Sequence, residues 1–203
     1  MQLQFKYNKV SLQQIEKGLK IRLAALPTIR AKESALRNEV KKLRQELQMA
    51  ATAYQTELDQ YAAYHPLWTE WDERLLQVKT IHTKVGRFAG VSFPQYEYTE
   101  YTEPSVSFFN KPLWFLQGLA MMKQLIEKQA AIETQQAQVA ILEAERRKTT
   151  QKLNLYEKVQ IPQHEEAITK IKRYLEDEDS LSKAAQKLIK QKRNREVENE
   201  GTG

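Results

Sequence analysis

The 203 residues contain no cysteine, which excludes disulfides, thiolate nucleophiles and sulfur-ligated metals. Histidine is nearly as scarce. His65, His82 and His164 are far apart in sequence and have no partner at helical i, i+4 spacing, so the chain offers no zinc-type ligand set. No apolar run approaches the ~20 residues needed to span a bilayer, and Met1 to Val10 is too polar for a secretory signal. Phosphate-cradling glycine loops and the H-E-x-x-H pattern are missing as well, and no nucleophile is set beside a base. The sequence therefore predicts a protein with no catalytic site, no cofactor and no bound metal. Glycine and proline are few, six each, and five of those twelve (Gly86, Gly90, Pro94, Pro104, Pro112) fall in one central stretch. Outside it Leu, Lys, Glu, Gln, Ala and Arg dominate, the profile of long helices.

What is present is a seam. Steps of three and four residues lead from Leu12 through Ile15, Leu19, Arg22, Leu26, Ile29, Glu33, Leu36, Val40, Leu43, Leu47, Ala50, Tyr54, Glu57, Tyr61, Tyr64, Trp68, Trp71, Leu75, Val78 and His82 to Val85. Only Arg22, Glu33, Glu57 and His82 interrupt its apolar character. A repeat of 3.5 residues kept in register for so long predicts a left-handed supercoil. A helix of that length, on the order of 110 Å at 1.5 Å per residue, must bury its stripe against a partner. Ser11 is a suitable first cap. Pro27, Pro66 and Pro162 predict kinks or short breaks, and Pro66 biases His65 away from helical geometry.

Between Gly86 and Pro112 aromatic and β-branched residues alternate with polar ones, predicting two short strands, about 91 to 99 and 105 to 110, in a hairpin. Helical periodicity resumes after Pro112 with Leu125, Ile132 and Val139 and continues through Leu142, Leu153, Tyr156, Ile168, Ile171, Leu175, Ala185 and Leu188. The expected fold is all-α: a long antiparallel two-helix coiled coil with a short central β-hairpin. Its parts are an N-terminal arm (1–85), a hairpin region (86–112) and a C-terminal arm with a basic tail (113–203). In that arrangement Leu19 faces Leu188. Polar seam residues such as Arg22, Glu33 and Gln136 set register or leave sockets for other chains. The aromatic group Tyr61, Tyr64, Trp68 and Trp71 fits a core better than a base-stacking platform. The acidic run Glu176 to Asp179 lacks the alternating ligands and turn glycine of a calcium loop.

The formal net charge is +6. Lys17, Lys20, Arg30 and Lys32 crowd one end of the first arm, and Lys183, Lys187, Lys190 and Arg193 lie near the other terminus. Antiparallel pairing is expected to bring them together as a positive tip suited to an acidic socket or a polyanion.

At Thr150 to Arg195 the segments TTQKLNLYEKVQIP and AITKIKRYLEDEDSLSKAAQKLIKQKR resemble the C-terminal part of the D-subunit family of V-type (A/V-type) ATPases and ATP synthases. Leu153, Asn154, Glu157, Val159, Ile161 and Pro162 match that family's motif. LQQIEKGLKIRLAALPTIRAKESALRNEV is similar to its first helix, and AGVSFPQYE at Ala89 to Glu97 to its central GV-x-x-P segment. The Arg-Gly-His step common in the family's first helix is replaced by Leu26, Pro27 and Thr28, as in a divergent bacterial branch. The resemblance implies a non-catalytic central rotor shaft that couples ATP hydrolysis or synthesis on a ring of A and B subunits to proton or sodium transport. It also implies that both termini enter the ring, with Lys17, Lys20, Arg30, Lys32, Lys183, Lys187, Lys190 and Arg193 as contact candidates. The hairpin end would meet the F subunit and the membrane-side funnel subunit (C or d), through Phe93, Tyr96, Tyr98, Val106 and Phe108. A cytoplasmic place, peripheral to the inner (plasma) membrane of a bacterium, follows from the same resemblance, and neither direct nucleotide binding nor a nucleic-acid partner is expected. The competing reading of the seam alone is a non-catalytic coiled-coil scaffold or adaptor.

Overall fold

A computed structural model describes residues 4–62, 64, 68–71, 73–102, 112 and 114–200, with the backbone alone at 73 and 195–200. Helix α1 is Lys9–Ala62, strands β1 and β2 are Gln77–Phe88 and Val91–Thr102, helix α2 is Trp114–Leu155, and helix α3 is Ile161–Glu200. A π turn, Tyr156–Gln160, joins α2 to α3. The chain divides into two units: Met1–Arg30 with Gln151–Gly203, and Ala31–Thr150.

The first helix starts one turn before the expected cap. Asn8 Oδ1 accepts the Ser11 N–H at 2.7 Å, so Asn8 is the cap, and the Ser11 hydroxyl accepts the Lys6 N–H in return. The helix runs unbroken through Pro27. That proline is exposed, so the carbonyl it leaves without a donor lies on the face that water can reach. Every seam position from Leu12 to Tyr61 is buried or half-buried, as the 3.5-residue repeat requires.

In the first unit Glu16 pairs with Lys172, Arg22 with Gln160 and Arg30 with Glu157. Numbers rise along one helix as they fall along the other, so the pairing is antiparallel. Its core is Ile15, Ala167 and Ile171, covered by Phe5, Leu12, Ile168 and Leu175. The register differs from the expected one: Gly18 lies against His164, and Leu188 is 66% exposed rather than facing Leu19. From Glu176 to Asn194 every residue of α3 is exposed.

The second unit repeats the antiparallel order through Lys32–Glu145, Arg44–Glu143 and Glu57–Lys128. Its core is Leu36, Val40, Leu43, Phe93, Val139 and Leu142, with Phe88 and Val91 packed on it. The hairpin thus contributes its tip to the helical core. Gln136, expected on the seam, is exposed, and Gln138 is buried instead.

The helical seam expected through Val85 ends at Ala62, and β1 occupies Gln77–Phe88. Val78, His82 and Val85 keep the seam's steps of four and three by coincidence, because two strand alternations also equal four residues. The β-branched residues Val78, Thr80, Ile81, Thr83 and Val85 favour the strand, and β2 offers it a partner across a two-residue turn. That turn is Ala89 and Gly90, at φ 49° and 80°, between the paired residues Phe88 and Val91. Two positive φ values match the right-handed twist of the strands. Gly86 sits opposite Phe93, and a Cβ there would come within 2.6 Å of the ring, so glycine lets the aromatic side chain cross the strand. The strand expected at 91–99 is β2, which extends to Thr102. The strand expected at 105–110 and the break at Pro66 lie outside the described residues.

Trp68, Trp71, Trp114 and Phe115 pack together, Trp71 stacking on Phe115 at 5.9 Å and 11°, so the two tryptophans of the aromatic group are half-buried packing residues, whereas Tyr64 is 51% exposed. No helix among the described residues is long and apolar enough to cross a membrane.

Candidate assembly surfaces

The basic residues singled out from the sequence separate into two kinds. Arg30 and Lys32 are ion-paired across the helices, to Glu157 and Glu145. Lys17, Lys20, Lys183, Lys187, Lys190 and Arg193 are exposed, with no carboxylate paired to them among the described residues. They do not form one tip, because the α1 cations lie level with the segment around His164 to Lys172, and the α3 cations lie beyond it. Leu181, Leu188 and Ile189, 71%, 66% and 64% exposed, stand among those cations. Leu181 and Leu188 are a heptad apart, so α3 carries an apolar line flanked by positive charge and, among the described residues, uncovered.

The segment from Leu153 to Pro162 has a physical reason for its composition. Pro162 cannot donate to an α-helical carbonyl, and its ring would crowd the carbonyl of Lys158. The π turn removes that conflict by widening the backbone, with the Ile161 N–H donating to Tyr156 O. Side chains then pin the irregular turn to the other helix. Glu157 accepts from Arg30, and Gln160 Oε1 accepts from Arg22 Nε at 2.7 Å. Arg22 also donates to Gly18 O, and buried His164 donates from Nδ1 to Gln160 O at 2.6 Å. Ile161 is buried and Leu153 half-buried, and Pro162, Asn154 and Val159 are exposed.

The family match follows the same elements. The ATP synthase D-subunit family matches residues 11–191. This chain belongs to that family. Its relatives include the V-type ATP synthase D subunit of Chlamydia trachomatis serovar L2, 28% identical over 197 residues, covering 95% of this chain and 97% of the relative. The protein of the same name from Borreliella burgdorferi is 28% identical over 187 residues, covering 91% and 93%. That of Chlamydia pneumoniae is 27% identical over 198 residues, covering 95% and 94%. Family membership makes the chain a component of a V-type ATPase assembly.

Within this D-family chain the hairpin divides its residues between core and surface. Phe93, expected to meet a stalk partner, is buried in the helical core and unavailable. Tyr96 is half-buried, its hydroxyl bonded to Thr99 at 2.9 Å. Tyr98 remains at the surface, 51% exposed and stacked on His82 at 4.4 Å. Val106 and Phe108 lie outside the described residues. Sequence reasoning missed the exposed β1 residues Val78, Ile81 and Val85, which it had assigned to a helix or not considered. Their signal was the β-branched run itself. Beside them Lys79 and His82 both reach Glu100, whose carboxyl is held below its ordinary value by the hydrogen bond from Lys79 and then that with His82. Burial pushes the Tyr101 hydroxyl up to about 12, and this group donates to Lys123 O, fastening β2 to α2. Among the described residues no group of His, Asp and Glu side chains could hold a metal ion.

Proposed function

We propose that this chain is the central rotor shaft of a V-type ATPase/ATP synthase, coupling ATP hydrolysis or synthesis on the A/B ring to proton or sodium transport, with no catalytic site of its own. The observation that carries this reading is the contrast along α3. Up to Leu175 its apolar stripe is covered by α1, and from Glu176 to Asn194 it continues as an exposed helix bearing Leu181, Leu188, Ile189 and a row of cations. A helix built this way gains its stability from a socket in another protein, since propensity alone leaves it marginal. Lys17, Lys20, Lys183, Lys187, Lys190 and Arg193 are the ring contacts in this reading. Arg30 and Lys32 serve the shaft by tying its helices together.

Transmitting torque requires resistance to twisting, which close-packed paired helices supply and a single helix does not. An asymmetric surface also meets each catalytic interface differently, and only differential contact can bias equivalent sites toward different states. The shared name of the relatives, the D subunit of a V-type ATP synthase, favours this role over a passive scaffold. In the same reading the exposed β-hairpin face around Tyr98 meets the F subunit or the membrane-side funnel subunit, and the assembly lies on the cytoplasmic side of a bacterial inner membrane.

The test is reconstitution of the A and B subunits and the remaining stalk and membrane subunits from the same source, with and without this chain. ATP-driven rotation and ion transport are expected only with it. Full assembly and coupled turnover in its absence would refute the role. Replacing Lys187, Lys190 and Arg193 together by Glu is expected to weaken ring docking while helicity stays unchanged.

A further inference from the structure

One face of the Ala31–Thr150 unit carries a groove of about 710 Å³ between α1 and α2 that the shaft reading does not use. Its rim is Arg37, Lys41, Arg44 and Arg146, and Val40 and Met49 supply apolar surface. Charge in this region is unbalanced. Glu33 answers Arg37, while Glu143 alone is shared by Arg44, Arg146 and Arg147. Lys41 has no carboxylate within ion-pair distance among the described residues, and Arg146 Nε is buried with no hydrogen-bond acceptor there. Cations crowded around so few carboxylates repel one another, a cost that an incoming acid would relieve. A donor buried without an acceptor adds a second unmet demand of the same sign.

The shape selects among anions. Arg37 to Met49 spans about 18 Å along α1 at 1.5 Å per residue, far longer than a single phosphate or carboxylate. It equals roughly three turns of a helix. A nucleic-acid backbone would answer the cations but leave the thioether of Met49, 65% exposed, facing sugars and phosphates. A protein segment with one apolar stripe and carboxylates on its flanks satisfies both parts. We propose that this groove receives an acidic amphipathic segment of a partner protein within the assembly. The proposal rests on the shaft reading for the assembly in which that partner is sought.

The experiment places a benzophenone amino acid at groove-lining Gln48 in the full chain, assembles it with the ring and stalk subunits of its source, and maps the photo-crosslink by mass spectrometry. The expected product joins Gln48 to a partner segment carrying two or more Asp or Glu within three helical turns. In parallel, Lys41→Glu is expected to slow association with that crosslinked protein about tenfold at low salt and to flatten its salt dependence, with Lys41→Gln intermediate. Thermal melts within about 2 °C of the parent, as for exposed substitutions, establish that both variants remain folded. A coupled complex that gives no protein crosslink overturns the inference and leaves the shaft reading standing. So does a crosslink to a segment without acids, to nucleic acid or to a second copy of this chain, as do association rates unchanged by Lys41→Glu. A complex that couples without this chain overturns both.

Discussion

Two substitutions on one helix separate the observed pairing from the one expected from periodicity. Ile171 and Leu188 both belong to the apolar stripe of α3, but Ile171 is 0% exposed in the core with Ile15 and Ala167, and Leu188 is 66% exposed. Ile171→Ala removes side-chain carbon worth about 0.8 kcal/mol per methylene-sized group, a transfer loss of about 2.4 kcal/mol. The cavity left among Leu12, Ile168 and Leu175 raises this to about 3–4 kcal/mol, because the surrounding helices relax only partly. For a chain of this size that is a fall in melting temperature of roughly 6–16 °C. Leu188→Ala buries nothing less than before and is expected to change stability by less than about 0.5 kcal/mol. Circular dichroism melts and urea titrations of the isolated chain measure both. Equal destabilisation by the two substitutions would refute the register, since Leu188 could lose stability on that scale only if something covered it. In the assembled complex the order reverses if the shaft reading holds, with Leu188→Ala weakening ring attachment.

Two further outcomes test local features. Ala89 holds φ 49° at the first turn position, a region costly for a residue with a Cβ, and Ala89→Asn creates the Asn-Gly pair favoured in such turns. Stabilisation of about 0.5–1 kcal/mol is expected, seen as slower amide exchange in β1 and β2, and faster exchange would overturn the turn assignment. The Glu145 carboxyl is held below its ordinary value of 4.5, chiefly by the hydrogen bond from Lys32. A depressed carboxyl contributes stability that is present above 4.5 and lost as pH falls through the lowered value. Urea midpoints should therefore drop more steeply below pH 4.5 in the parent than in Glu145→Gln, and superimposable profiles would show that the pair does not form in solution.

The seam through Tyr61 was legible because a helix facing one partner must repeat its apolar positions every 3.5 residues, and α1 does so for fifteen consecutive seam positions, Leu12 through Tyr61, without one exposed exception. The helix end was not legible from spacing, because strand residues at 78, 82 and 85 fall on the same steps. Only the β-branched content distinguishes them. Gly86 was read as the start of the hairpin region, ahead of its first strand, whereas it sits inside β1 as the platform that Phe93 crosses. Phe93 was read as a partner contact since aromatic residues serve interfaces and cores alike, and only tertiary packing decides between them. The π turn left its trace in the sequence as Pro162, but a proline marks a conflict without saying how the backbone resolves it.

Register was the harder quantity, and the polar residues explain why. An apolar stripe repeating every seven residues meets an equivalent stripe after any slip by whole heptads, so facing Leu19 with Leu188 instead of the region near Ile168 costs little in hydrophobic contact. Arg22 and Glu33 are different. Arg22 finds Gln160 Oε1 and the Gly18 carbonyl, and buried Glu33 accepts from Arg37 and from Thr150 Oγ1 across the pair. The Arg37 and Gly18 bonds lie within α1 and move with it, but a slip of about three heptads removes Thr150 Oγ1 from Glu33 and Gln160 Oε1 from Arg22, and each lost hydrogen bond to a charged group costs about 1.5–3 kcal/mol. The polar interruptions of the seam thus choose one alignment out of several that the apolar positions accept. That choice also leaves Leu181, Leu188 and the α3 cations uncovered, so the residues that weaken the seam are the ones that free the end of α3 for another protein.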